Sequence, residues 1–151
     1  MVNRGYLMES VKIQDHMDHR PVFFKGTESI VEAVEKLLQS KRTGGPVVND
    51  DKQVIGFISE QDCIKAMLST SYHSGEKASL VVAEVMRSEV LTKKPYESVL
   101  QVAEDMSNNK PKVYPVVDDD NVLVGSINRT DIIRALDIHF HSIYEQGQRF
   151  V

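Results

Sequence analysis

The sequence predicts an α+β fold, a mixed α/β arrangement of two tandem β-α-β-β-α units packed as an intertwined pseudo-two-fold pair. Three observations predict it. The stretch from Gly45 to Asp62 reads as strand, polar turn, strand and helix start. Nearly the same text recurs from Tyr114 to Asp131, with Pro46/Pro115, Gly56/Gly125 and Asp62/Asp131 each 69 positions apart. The self-match then extends without a gap, backwards through Met17/Met86, Glu28/Glu97, Ser29/Ser98 and Glu35/Glu104 and forwards through Ile64/Ile133 and Ala66/Ala135. A long ungapped self-match marks an internal duplication, and its period exceeds those of the usual solenoids. One copy of roughly 60 residues buries too little surface to be comfortably stable, and packing two together relieves that.

Within each copy the elements follow from pattern and punctuation. Residues 1–12 form a short extension with little periodicity, expected to add a turn of helix or a late-docking strand. Ile13 and Met17 then lie on one face of a helical turn, and Pro21-Val22-Phe23-Phe24 is a short apolar strand. Thr27 is placed to cap the next helix, with Glu28 near the positive end of its dipole. Ile30, Ala33, Val34, Leu37 and Leu38 form its apolar stripe, and Arg42-Thr43-Gly44-Gly45 ends it. Asn49-Asp50-Asp51-Lys52 is a hairpin turn, after which Ser59 opens a helix with Ile64, Met67 and Leu68. The first crossover is expected to be right-handed, with helices on one side of a small mixed sheet.

Ser69 to Ser79 is polar and unpatterned, a linker. The second copy starts near Val82, places a strand at Leu91 and a helical stripe at Val99, Val102, Ala103 and Met106, and stops that helix at Asn108-Asn109-Lys110-Pro111. Its last helix starts near Arg129 and runs through Ile138 towards Tyr144, an extension with no counterpart after Leu68. The expected organisation is an extension over 1–12, a first repeat over 13–68, a linker over 69–79, a second repeat over 80–140 and a helical tail over 141–151.

Composition narrows the function classes. The chain of 151 residues is 41% hydrophobic and 26% charged with a formal net charge of −4, which is ordinary for a soluble globular protein. That mild acidity argues against a nucleic-acid partner, for which a basic face is the footprint. Cys63 is the only cysteine, so no internal disulfide and no multi-cysteine metal site is possible; in its apolar helical setting it reads as a small buried hydrophobe. No apolar run approaches a membrane span, and the N-terminus lacks the apolar core of a secretory signal, so a cytoplasmic location is expected.

Two units that each carry Pro-Val-Val, an acidic hairpin turn, a glycine before an apolar strand and an Asp at the following helix start resemble tandem cystathionine-β-synthase (CBS) domains, a pair called a Bateman module. The resemblance covers roughly residues 12–140, and its weak individual motifs become specific by recurring in register twice. It implies regulation: such modules commonly bind AMP, ADP, ATP or S-adenosylmethionine in clefts between repeats and report to an enzyme or channel. Here the pair fills the chain, so the expectation is a stand-alone module acting through its own homodimer or an unidentified regulated protein. The ligand would be an adenine nucleotide or adenosyl compound acting as a signal, with no cofactor required.

The candidate sites follow from the same resemblance. Ser59-x-x-Asp62 lies where a strand becomes a helix, whose N-terminal N–H groups suit a phosphate. The family places the ribose on the residue matching Asp62 and the phosphates near the hydroxyl matching Ser59. The same letters also fit a capping box, and Asn128-Arg129-Thr130-Asp131 fits that grammar too, which explains these residues without any ligand. One implied site combines Phe57, Ser59 and Asp62 with Met86, Leu91, Pro111 and Lys112. The other combines Met17, Val22, Arg42 and Thr43 with Ser126, Asn128, Thr130 and Asp131. The sequence departs from the family pattern at Asn128, where Ser or Thr is frequent, and at Lys112-Val113, where smaller residues are usual.

No nucleophile–base pair and no metal set stands out, so the chain does not read as an enzyme. His139 and His141, two apart on a helix, point away from each other and do not suit chelation. His16 and His19 read as exposed or core residues, with His19 and Arg20 near enough to the first strand to approach a phosphate. The rival reading is a ligand-free module for dimerisation and protein interaction.

Overall fold

In chain order the elements are β1 (Phe24–Lys25), α1 (Ile30–Ser40), β2 (Gly44–Val48), β3 (Val54–Ser59), α2 (Glu60–Tyr72), α3 (Val82–Val85), α4 (Val99–Ser107), β4 (Val113–Val117), β5 (Leu123–Asn128) and α5 (Arg129–Arg149). The structure, a computed structural model, describes residues 10–72, 80–108 and 111–149. Most of the predicted N-terminal extension, linker residues 73–79, the Asn109-Lys110 helix stop and the end of the tail lie outside the described residues.

Helix α1 shows how local chemistry sets the ends. Ser29, two residues after the expected Thr27, is the cap: its Oγ accepts from the Glu32 N–H at 3.1 Å. Ser98 does the same for α4. Glu28 closes the preceding turn, accepting from the Lys25 N–H at 3.0 Å and from Lys36 Nζ at 2.7 Å. The helix ends at Lys41, left-handed at φ 56°, and not at the glycines. Gly44 and Gly45 belong to β2 instead. A Cβ on Gly44 would stand 2.8 Å from the Phe57 ring and 2.9 Å from the Ile58 carbonyl, so this glycine serves close approach. Helix α2 continues to Tyr72, past the expected start of the linker.

Strand β1 runs parallel to β2, and β2 antiparallel to β3. The hairpin β4–β5 repeats the register of β2–β3, with Val47↔Gly56 matched by Val116↔Gly125. The strand expected at Leu91 does not form; one parallel bridge, Lys93↔Val116, stands in its place. Lys93 occupies the position of Phe24 in the duplication, and its ammonium pairs with Asp105 over the Tyr114 ring. Both hairpin turns use an Asx side chain: Asn49 Oδ1 accepts from the Asp51 and Gln53 N–H groups, and Asp118 Oδ1 from those of Asp120 and Val122.

The two repeats exchange their leading segments. Ile13, fully buried, packs with Val99, Val102, Tyr114, Val116 and Ile127 of the other repeat. Its counterpart Val82, also fully buried, packs with Phe24, Ile30, Ala33, Val47 and Ile58. Full burial of such a side chain contributes about 1.5–3 kcal/mol, here across the repeat boundary. The backbones join as well, Phe57 and Arg87 exchanging two hydrogen bonds of 2.9 Å and Asp18 and Ser126 two of 2.9 and 3.0 Å. A third cluster, Val48, Val54, Val117 and Leu123, ties the hairpin tips together, where Leu123 donates to the Lys52 carbonyl at 2.9 Å.

Four residues read as apolar stripe lie outside. Leu38 is 70% exposed, and Ile64, Met67 and Leu68 are 56, 50 and 54% exposed. The core face of α2 is Cys63 and Ala66, one residue round the helix. Burial, with Asp62 and Glu60 nearby, pushes the Cys63 thiol up, which suits an inert packing residue. Among the described residues no helix is long and apolar enough to cross a membrane.

The exchange makes Gly56 and Gly125 indispensable. A Cβ on Gly56 would crowd the Met86 sulfur and stand 2.9 Å from the Arg87 carbonyl; on Gly125 it would stand 2.7 Å from the Met17 sulfur and 2.8 Å from the Asp18 carbonyl. The backbone oxygens are held in the bridges and cannot yield. Gly56→Ala is expected to lower unfolding stability by about 1–3 kcal/mol, read from urea denaturation.

Candidate functional site

Two clefts flank the junction between repeats, each built from both. The first, of 630 Å³, is walled by Phe57, Ser59, Glu60 and Gln61 of the first repeat and by Arg87, Glu89, Val90, Leu91, Pro111, Lys112, Val113 and Pro115 of the second. The second, of 280 Å³, is walled by Val22 and Lys41 to Pro46 on one side and by Lys112, Val113, Ser126, Asn128, Arg129 and Thr130 on the other. Thr43, Lys112 and Val113 face both. These sizes bracket the lower range of small-molecule sites.

The geometry follows from the fold. Each cleft has a strand-to-helix junction as one wall, β3 into α2 or β5 into α5, so first-turn backbone N–H groups stand near the opening. The opposing wall comes from the other repeat, held there by the exchanged segments.

Of the residues expected in the first site, Phe57, Ser59, Leu91, Pro111 and Lys112 line the first cleft; Asp62 and Met86 are not on its wall. Of the second set, Val22, Arg42, Thr43, Ser126, Asn128 and Thr130 line the second cleft, whereas Met17 and Asp131 do not. Both methionines lie against the glycine of the opposite repeat. Both aspartates are turned into caps. Asp62 Oδ2 accepts from the Ser59 N–H at 3.0 Å and from Ser59 Oγ at 2.9 Å, and Ser59 Oγ accepts from the Asp62 N–H at 3.2 Å. Asp131 Oδ2 accepts from the Asn128 N–H at 3.0 Å, while Asn128 Oδ1 accepts from the Asp131 N–H at 2.8 Å. Asn128 thus performs in one repeat what Ser59 performs in the other.

The caps use one oxygen of each carboxylate. Asp62 Oδ1 faces Arg87 Nε at 3.7 Å, and Asp131 Oδ1 faces Arg134 Nη1 at 3.6 Å, both arginines being 64% exposed. Arg42 pairs with Asp18 at 3.2 Å at the edge of the second cleft. Sequence reasoning missed Lys41, Arg129, Arg87, Glu60 and Glu89 as cleft residues. Glu60 and Arg129 carried a signal, since each follows a named cap residue directly; Arg87 and Glu89 lie in an unpatterned segment.

His19 and Arg20 are exposed and outside both clefts. His141 hydrogen-bonds within its own helix to the Asp137 carbonyl. Among the described residues no group of three or more His, Cys, Asp or Glu could hold a metal ion.

The two repeats thus form an exchanged pair with two clefts, each walled by both repeats. The CBS domain family model matches residues 13–69 and 82–138, and the chain belongs to that family. An uncharacterised protein of Methanocaldococcus jannaschii is 32% identical over 124 residues, covering 82% of this chain and 42% of that protein. Among solved structures, CBSX2 in complex with AMP is 27% identical with a TM-score of 0.71, covering 85% of this chain and 98% of that one. The CBS domain pair of MJ0100 in complex with 5′-methylthioadenosine and S-adenosyl-L-methionine is 27% identical with a TM-score of 0.70, covering 84% and 96%.

The reciprocal caps carry a stability consequence. Ser59→Ala and Asn128→Ala are each expected to lower unfolding stability by about 0.5–2 kcal/mol, since each leaves a first-turn N–H unmet. Guanidinium melts of the ligand-free protein read the loss; no change at either position would show the caps to be incidental.

Proposed function

We propose that the chain is a regulatory module that senses an adenine nucleotide or a related adenosyl compound in the clefts between its repeats. The single observation that carries this is the presence of two clefts, each with a helix N-terminus on one wall and apolar and cationic groups on the other. Apolar residues such as Val22 and Leu91 suit a purine face, and the cations and first-turn N–H groups suit phosphates. The relatives that hold AMP, S-adenosyl-L-methionine and 5′-methylthioadenosine support the same ligand class.

In this reading Asp62 and Asp131, which stand behind the cleft walls with Oδ1 facing an arginine, reach the ribose hydroxyls through Oδ1 once that arginine moves aside, while Oδ2 keeps its helix cap. Each arginine is 64% exposed and free to swing into solvent, and the ribose hydroxyls then replace it on a carboxylate that is only 11 or 12% exposed. A ligand touching both walls favours whichever arrangement of the repeats closes on it, and by no more than its differential affinity for that arrangement. That shift in shape is the signal, passed to a regulated protein or to a second copy.

A second reading is a ligand-free interaction module. It is favoured by one observation, the exposed apolar side chains Ile64, Met67 and Leu68 on α2 and Ile133, Ile138 and Phe140 on α5. The two readings part on ligand response. A thermal-shift screen with AMP, ADP, ATP, NAD, S-adenosylmethionine and GTP is expected to show a dose-dependent rise with an adenine compound, since a ligand at 100 times its Kd adds about 2.7 kcal/mol to stability. Asp62→Ala and Asp131→Ala are expected to weaken that binding in folded protein. Folded, ligand-free protein that responds to none of the six would favour the interaction module.

A further inference from the structure

The duplication makes each cleft a control for the other, and their charges differ. Resting on the nucleotide reading above, we propose that the second cleft is the seat for an adenine nucleotide carrying two or three phosphates, and that the first takes adenosyl ligands of lower negative charge. The second cleft is lined by Lys41, Arg42, Lys112 and Arg129 and by no carboxylate among the described residues. Arg42 is compensated by Asp18 at 3.2 Å. Lys41, Lys112 and Arg129 form no ion pair with a carboxylate among the described residues. In the first cleft Arg87 and Lys112 are set against Glu60 and Glu89. Lys112 serves both, so the contrast comes from the rest. Lys110, which matches Lys41 in the duplication, lies outside the described residues.

The sharpest contrast sits at one matched position. Arg129 is the first residue of the 21-residue α5, where Glu60 is the first residue of α2. A helix N-terminus favours an anion and disfavours a cation, so Glu60 follows helix electrostatics and Arg129 opposes them. A cation there is accounted for by an anion drawn to the same place, where the Arg129 N–H already donates to the Lys112 carbonyl and the Asp131 N–H to Asn128 Oδ1, so the side-chain cations and the helix dipole carry the attraction. Lys41 makes a parallel point. It holds a left-handed backbone at φ 56°, where glycine fits without strain, and its side chain lines the cleft. Both residues forgo local stability and leave a cation at the opening. A lengthening phosphate chain gains a partner at each of these cations, while an adenosyl group without phosphates gains none.

The test is calorimetric titration of the purified chain with ATP and with AMP, in the wild type, Arg129→Glu and Glu60→Arg. Arg129→Glu is expected to lower the ratio of ATP to AMP affinity about tenfold at the tighter ATP site. Glu60→Arg is expected to raise that ratio at the other site. Arg129→Glu is also expected to raise the melting temperature of ligand-free protein, which separates lost binding from lost folding. An unchanged ratio in both variants, or a loss of ATP preference from Glu60→Arg, overturns the charge assignment and leaves the nucleotide reading standing. Failure of the folded wild type to bind either nucleotide overturns the assignment together with that reading.

Discussion

Everything in this molecule depends on a reciprocal close approach of backbones across the repeat boundary. The segment ahead of each repeat's first-strand region lies against the last strand of the other repeat, at Phe57/Arg87 and at Asp18/Ser126. Glycine at positions 56 and 125 is what lets the chains come this near. Once they do, Ile13 and Val82 have nowhere to go but the opposite core. The repeats therefore are not two domains that touch; each lends the other a buried side chain and an edge of hydrogen bonds. Each half thereby buries apolar surface against the other, which a unit of this size needs.

The clefts are a by-product of that exchange. Bringing the segment near Arg87 against β3, and the segment near Asp18 against β5, sets a loop of one repeat beside a helix start of the other. A ligand in either position touches both halves, so its binding energy bears on how the halves sit. The aspartates at the helix starts hold their caps with one oxygen and leave the other beside an exposed arginine. The charge asymmetry at Glu60 and Arg129 then makes two clefts related by the duplication chemically distinct.

Much of this was legible in the sequence because the duplication doubled every weak signal. The hairpins and the helix starts could be read from a register that never slips, whereas the mixed composition of the clefts was implied by the resemblance to CBS domains. What was not legible depended on tertiary approach. Gly44 and Gly45 look like a helix stop, but they open β2, paired with Ser59 and Ile58 of β3. Ile64, Met67 and Leu68 look like a core stripe, but Cys63 and Ala66 are small enough to let α2 pack on its other side. Leu91 matches Val22 of the first repeat, but Thr92 and Lys93 stand where that repeat has Phe23 and Phe24, and the pairing is one bridge, Lys93↔Val116. Lys41, whose left-handed backbone breaks the glycine rule, escaped notice for the same reason that makes it informative.

The most direct test of the exchange is native-state hydrogen exchange followed residue by residue in increasing denaturant. The amides of Phe57, Arg87, Asp18 and Ser126 bridge the repeats, and the account predicts that all four exchange only through global unfolding, with one common free energy and one denaturant dependence. Exchange of one repeat's core amides through a partial opening, while the other repeat stays protected, would contradict it and make the repeats separate folding units.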